Sequence, residues 1–204
     1  MTNELQHHRN GNARSSSLLA RALVGAGVIV GMLVSWAPEA AAAPEILRPG
    51  TRPWAATLGF GPSFIVSTGA YSGHWADAGR GAYQLSLQQE IGYHFQGESE
   101  GPALGLSLQE GFMHSVHFEA GAKFWWDIRL VKDMAIYLAP EGRVGFSMWT
   151  SPFDPGFDVQ LGLTGKVILD DRWLLFLRPL TQDFNMGPHF VFEWNVMLGG
   201  GVTF

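Results

Sequence analysis

From residue 54 onward, hydrophobic and polar positions alternate with a period of two, in blocks separated by turn residues. Successive side chains of a β-strand point to opposite faces, so each block predicts a strand with one apolar and one polar side. We distinguish eight blocks, at residues 54–66, 82–95, 102–109, 116–130, 134–149, 157–169, 172–181 and 189–204. This part of the chain shows no helical periodicity, and the pattern therefore predicts an all-β fold.

The last block shows the alternation most plainly and finishes on an aromatic residue. One phase is apolar and consists of Phe190, Phe192, Trp194, Val196, Leu198, Val202 and Phe204. The other phase holds His189, Glu193, Asn195 and Thr203. A strand with one apolar and one polar face is expected to lie between an apolar and a polar environment.

Charged residues fall into the polar phases of the other blocks as well. The ten that we assign to one common polar face are Glu90, Glu119, Lys123, Asp127, Arg129, Glu141, Arg143, Asp158, Lys166 and Glu193. A register slip of one residue would turn such groups toward the apolar side, and an Arg or Lys facing lipid costs about 2–4 kcal/mol near the midplane. The six acids and four bases nearly balance. If the strands close into a barrel, these charges can pair across its narrow interior.

The seventh block is ambiguous because residues 173–177 are apolar in both phases. Either Leu174 and Phe176 fill the interior of the fold, or the phase of this strand is the opposite one.

Eight amphipathic strands permit two barrels of opposite polarity. A soluble lipocalin-like barrel places the apolar phase inside around a ligand, whereas a membrane barrel places it outside against lipid. The alternation with a period of two is the same in both barrels and does not distinguish between them. Long connections that alternate with tight turns, such as Asp170-Asp171, favour the membrane barrel. Aromatic residues near block ends, among them Trp126, Trp149 and Trp173, suit interfacial girdles.

The N-terminus has the features of a secretory signal peptide. Arg9, Arg14 and Arg21 precede an apolar stretch at residues 22–36, and small residues at 40–43 suit a cleavage site. We predict a signal peptide at residues 1–42, a short periplasmic segment at 43–53 and a barrel at 54–204. The chain has no cysteine, which excludes disulfides and thiolate chemistry. Its formal net charge of −5 does not favour nucleic-acid binding.

On these alternating blocks and the terminal phenylalanine, residues 54–204 resemble the small eight-stranded bacterial outer-membrane β-barrel proteins. The resemblance implies an eight-stranded antiparallel up-and-down transmembrane β-barrel in the outer membrane, with a lumen filled by its own side chains. It implies contact with outer-membrane lipid and recognition by the barrel assembly machinery, through Phe204, Val202 and Leu198. We expect a monomer, and no surface ligand is identifiable from the sequence.

Candidate catalytic residues are few. His114, Ser115, His117 and Glu119 are reminiscent of a hydrolytic set, but no nucleophile elbow or oxyanion device accompanies them. His74, His114 and His117 lack an acid at a spacing that suggests a metal site. We therefore predict no metal, no cofactor and no enzyme.

The sequence favours a structural or surface-interaction protein of the outer membrane. One alternative is a barrel that binds or transports a small apolar ligand, in a cavity lined by small residues such as Gly145, Gly162, Gly199 and Gly201. A second alternative is a hydrolase that modifies lipid of the outer leaflet.

Overall fold

The computed structural model describes residues 44–65, 82–112, 116–150, 153–187 and 190–204. They form a short 3₁₀ helix, Glu45–Leu47, and eight strands. The strands are β1 Trp54–Ile65, β2 Ala82–His94, β3 Gly101–Phe112, β4 Val116–Arg129, β5 Ile136–Thr150, β6 Phe153–Leu169, β7 Trp173–Met186 and β8 Phe190–Thr203. The predicted signal peptide lies outside the described residues.

Every strand pairs antiparallel with its neighbour in the sequence, and β8 pairs with β1, so the sheet closes into a barrel. Reciprocal backbone hydrogen bonds between Trp54 and Phe204 complete the closure. The predicted eight-stranded antiparallel up-and-down barrel is confirmed. Closure leaves no strand edge unpaired, which an open sheet of the same strands would expose.

Three strands are longer than the sequence pattern indicated. β3 extends to Phe112, β6 begins at Phe153, and β7 runs to Met186. In β7 the alternation is interrupted by a bulge between Arg178 and Thr181, where the pairing with β8 shifts from Met197 to Asn195. Pro179 lies in this bulge, where its missing N–H interrupts the ladder at little cost. The polar phase of β7 resumes beyond the bulge, out of step with its first half.

The β6–β7 connection is a tight turn of three residues, 170–172, closed by a 3.1 Å hydrogen bond from the backbone N–H of Arg172 to the carbonyl of Leu169. Asp170 and Asp171 have φ values of 54° and 51°, the left-handed conformation that a type I′ turn requires at both central positions. This turn lies at the same end of the barrel as the β2–β3 and β4–β5 connections. We call this the turn end and the opposite end the loop end.

The chain that precedes β1 is fastened to all three connections at the turn end. Backbone hydrogen bonds run from Ala135 to Leu47, from Asp170 to Ile46 and from Ser99 to Gly50. The Asp171 carboxylate accepts a further bond of 2.6 Å from the backbone N–H of Thr51. Residues 45–51 therefore tie the three turns to one another.

The apolar phase of the barrel faces outward, which excludes the lipocalin-like arrangement. Leu106 on β3 is 65% exposed and Phe146 on β5 is 52% exposed. Among the buried residues described, polar and charged side chains outnumber apolar ones. The described residues contain no helix long and apolar enough to cross a membrane.

The structure confirms the first of the two interpretations of the seventh strand, in which Leu174 and Phe176 fill the interior. Leu174 and Phe176 are buried inside the barrel, where they contact Tyr137, Ile168 and Met197 in an apolar cluster near the turn end. The lumen therefore has an apolar floor beneath its polar part.

Candidate functional site in the barrel lumen

The polar lumen contains the candidate site, and all eight strands contribute polar residues to it. All ten charged residues selected from the sequence lie on inward-facing positions. Sequence reasoning missed Arg178 because the phase of the seventh block was ambiguous, and it missed Asp183 and Asn185 because the pattern in β7 appeared to end at Thr181. A second pass for alternation beyond Pro179 would have found the last two, since Asp183 and Asn185 are two residues apart.

The middle of the lumen holds two acids and two bases in direct contact. Arg178 Nε lies 2.6 Å from a Glu141 oxygen, and Arg178 Nη2 lies 3.1 Å from a Glu90 oxygen. Lys123 Nζ lies 3.1 Å from the other Glu141 oxygen and also contacts Glu90. Arg178 additionally donates to the Thr164 hydroxyl at 2.9 Å. Each charge in this middle layer therefore has two partners of opposite sign.

A belt of three buried glutamines lies above the middle layer, toward the loop end. Gln160 donates to Gln109 at 3.3 Å and accepts from Gln88 at 3.4 Å. Gln88 also accepts a hydrogen bond from Arg178. The belt is neutral and links the middle layer to the residues above it.

The layer near the loop end gathers three carboxylates around one guanidinium. Arg143 Nη2 lies 2.7 Å from Asp158 and 3.5 Å from Asp183, and it also contacts Glu119. All four side chains are fully buried. Asn195 donates to the second oxygen of Asp183. Arg143 is thus shared among more acids than it can neutralise.

A second group of the same layer surrounds His117. Its Nδ1 lies 3.4 Å from Glu193 and its Nε2 lies 3.5 Å from Glu119. The imidazole stacks on Trp149 with ring centroids 3.9 Å apart and an interplanar angle of 5°. Trp149 was expected in an outer aromatic girdle, but its ring instead contacts this lumen histidine.

Near the turn end, Asp127 organises a smaller polar group. Its carboxylate lies 2.7 Å from His94 Nε2 and 2.9 Å from Lys166 Nζ, and it accepts a 3.0 Å bond from the indole of Trp125. Arg129, the tenth charged residue selected from the sequence, lies at the rim. It pairs with Glu100 in the β2–β3 connection and stays about a quarter exposed.

The glycines proposed to line an apolar cavity are packed against neighbouring atoms. A methyl group added at Gly199 would lie 2.5 Å from the Phe176 ring, and one added at Gly162 would lie 3.0 Å from Glu141. Gly145 and Gly201 face backbone atoms of adjacent strands. The packing at Gly145, Gly162 and Gly199 therefore leaves no room for a ligand, and Gly201 borders an open depression together with Leu58, Ile91 and Leu106.

The candidate hydrolytic set is not assembled on the outer wall. His117 and Glu119 are both 1% exposed and face the lumen. His114 and Ser115 lie outside the described residues. An enzyme that acts on lipid needs its reactive groups where lipid can reach them, and His117 and Glu119 do not meet that condition.

Comparisons with known proteins agree with the fold. No protein-family model matches the sequence, and no curated protein matches it. Among solved structures, Neisserial surface protein A has a TM-score of 0.58 at 9% identity, over 74% of this chain and 97% of that one. The N-terminal β-barrel domain of Pseudomonas aeruginosa OprF has a TM-score of 0.49 at 12% identity, over 75% and 98% of the two chains. The outer membrane protein OprG of Pseudomonas aeruginosa gives 0.47 at 9%, over 76% and 98%. These are small eight-stranded outer-membrane barrels, and the first similarity shows a shared fold.

Proposed function

We propose that this protein spans the bacterial outer membrane as a barrel with a closed, side-chain-filled lumen, and that it serves a structural or surface-interaction role. The observation that carries the proposal is the polarity of the wall, with large apolar side chains outside and buried ion pairs inside. A soluble protein would expose that apolar surface to water at a large cost in free energy, since each buried Å² of apolar surface contributes about 25 cal/mol.

Backbone pairing supports the same placement. Lipid offers no hydrogen-bond partners, so a chain that crosses it must satisfy every peptide group internally. The β1–β8 pairing closes the barrel, so that each of the eight strands has a hydrogen-bonded neighbour on both sides. The fold shared with Neisserial surface protein A agrees with the proposal.

The contents of the lumen support a closed barrel over a pore. Lys123, Glu141 and Arg178 bridge its middle, and Phe176 and Tyr137 fill the floor beneath them. An eight-stranded barrel is just wide enough for its own side chains. We expect no stable conductance from the purified protein in planar bilayers, and a reproducible channel would contradict a filled lumen.

Solubility and gel migration test the membrane placement directly. The mature chain should partition with membranes, require detergent for extraction, and migrate differently on a gel before and after boiling. Recovery of a folded barrel in a detergent-free soluble fraction would contradict the proposal.

Recognition by the barrel assembly machinery forms part of the proposal. Leu198 and Phe204 are exposed on the outer face, at 56% and 51%, and Val202 shares their phase. Phe204→Ala should lower the heat-modifiable fraction in cells while the refolded protein in detergent stays unchanged. An unaltered folded fraction in cells would remove Phe204 from this role.

A further inference from the structure

We propose that His117, Glu119 and Glu193 bind a divalent transition-metal cation such as Zn²⁺ inside the lumen, near the loop end. The inference goes beyond the barrel's proposed role. It depends on the side chains of the lumen and not on the membrane placement. It differs from the prediction from the sequence that the chain has no metal site.

The three side chains meet because of barrel geometry. His117 and Glu119 are two residues apart on β4 and therefore share its inward face. Glu193 projects from β8, four strands away around the barrel. One donor atom from each residue lies within 4.8 Å of the others, close enough for small side-chain movements to place all three around one ion.

Second contacts fix both carboxylates in place. Asn185 donates to Glu119 at 3.1 Å, and Gln84 donates to Glu193 at 3.0 Å. Stacking on Trp149 fixes the plane of the imidazole. Metal sites depend on such supporting contacts, because they hold the ligands in orientation before the ion arrives.

Polar atoms of two of these ligands and of the two amides that support them lack a hydrogen-bond partner. Among the described residues, no hydrogen-bond partner is found for His117 Nε2, Glu193 Oε1, Gln84 Oε1 or Asn185 Oδ1. These four residues are at most 3% exposed. Buried polar atoms are normally paired, so acceptor atoms without a donor on the ligands and on their supporting amides agree with a bound cation.

The local charge also favours a cation. Among the described residues of this layer, Glu119, Asp158, Asp183 and Glu193 face a single guanidinium, that of Arg143. Arg143 contacts the first three of these acids but not Glu193. A divalent ion between Glu193 and Glu119 would supply positive charge where Arg143 does not reach.

The donor set selects the class of ion. An imidazole nitrogen combined with carboxylate oxygens suits Zn²⁺ and neighbouring transition metals, whereas Ca²⁺ and Mg²⁺ prefer oxygen ligands alone. The all-carboxylate group of Glu119, Asp158 and Asp183 is the other candidate. Arg143 already occupies its centre, and we therefore place the ion at His117.

Titration of the folded, tag-free protein with Co²⁺ tests the site. The protein is refolded in detergent, treated with EDTA and followed by the visible absorption of Co²⁺, with Zn²⁺ as competitor. We expect one equivalent to bind and Zn²⁺ to displace it. His117→Gln and Glu193→Gln should each weaken binding at least about tenfold, as loss of a ligand or its support does.

Glu141→Gln is the matched control, since it neutralises a buried lumen glutamate outside the site. Its affinity for Co²⁺ should equal that of the wild type, and heat-modifiable migration establishes that each variant is folded. If Glu193→Gln does not fold, His117→Gln decides. Three results would overturn the proposal: no saturable binding by the folded wild type, unchanged affinity in the folded His117 variant, or equal weakening in Glu141→Gln.

Discussion

The middle layer and the loop-end layer of the lumen are both built from buried acids and bases but balance their charges differently. In the middle, Glu90 and Glu141 meet Lys123 and Arg178, and each charge touches two of the opposite sign. Near the loop end, Arg143 contacts three carboxylates, and the fourth, Glu193, contacts His117 and accepts a hydrogen bond from Gln84. One layer is a neutral lattice and the other is an acidic cluster.

The difference indicates separate roles for the two layers. Buried ion pairs gain little net stability over apolar packing, but an uncompensated buried charge is strongly destabilising. A layer with complete pairing therefore suits a structural closure of the lumen. The loop-end layer has more acidic than basic side chains, which is energetically unfavourable. Such an unfavourable arrangement is expected where a residue also has a functional role.

Arginine removal should have the largest effect and should differ between the layers. Arg143→Met leaves Glu119, Asp158 and Asp183 buried without a cation, and we expect a loss of about 3–5 kcal/mol in the free energy of unfolding. Urea titration of the metal-free protein in lipid vesicles measures it.

Arg178→Met is the comparison variant in the middle layer. Lys123 still contacts both glutamates there, so we expect a smaller loss of about 1–3 kcal/mol, from groups left without hydrogen bonds. Equal losses in the two variants would mean that the surplus acid near the loop end does not matter energetically.

Removal of one acid should change stability in opposite directions in the two layers. Glu141→Gln breaks a balanced lattice and should cost about 1–3 kcal/mol in the free energy of unfolding. Asp183→Asn relieves repulsion among the acids around Arg143 and keeps an acceptor for Asn195, so stability should stay level or rise. Unfolding curves without metal and with EDTA decide this, and destabilisation by both variants would show that the loop-end layer is balanced by other means.

Much of the barrel follows from alternation alone, because a period of two fixes the face of every residue once one face is known. The inward positions of Glu119, Lys123 and Arg143 were predictable for this reason. β7 was the exception, since the bulge at Pro179 shifts the phase and conceals Asp183 and Asn185. Because residues 173–177 are all apolar, their sequence also did not show whether Leu174 and Phe176 face the lumen or the outside.

The ion pairs themselves were beyond the sequence. Arg178 contacts Glu90 across the lumen because strand tilt and register set the height of each side chain along the barrel axis. Neither the tilt nor the register can be deduced from the sequence of one strand. The joining of His117 with Glu193 from β8 depends on the same geometry. Alternation is likewise symmetric between a barrel that is apolar inside and one that is apolar outside, so the sequence predicted the polarity only through the connections, the aromatic residues and the terminal phenylalanine, and the exposed apolar wall confirms it.

The glutamine belt between the layers offers the smallest and most local comparison. Gln160→Leu removes the hydrogen bonds to Gln88 and Gln109, and we expect a loss of about 1 kcal/mol in the free energy of unfolding. Gln89→Leu is the matched control, because Gln89 is exposed on the outer wall and its replacement by an apolar side chain should be neutral or stabilising in lipid vesicles. Urea titrations of both variants measure the difference. If Gln160→Leu were also neutral, the belt would act only as a spacer, and the two charged layers would be energetically independent.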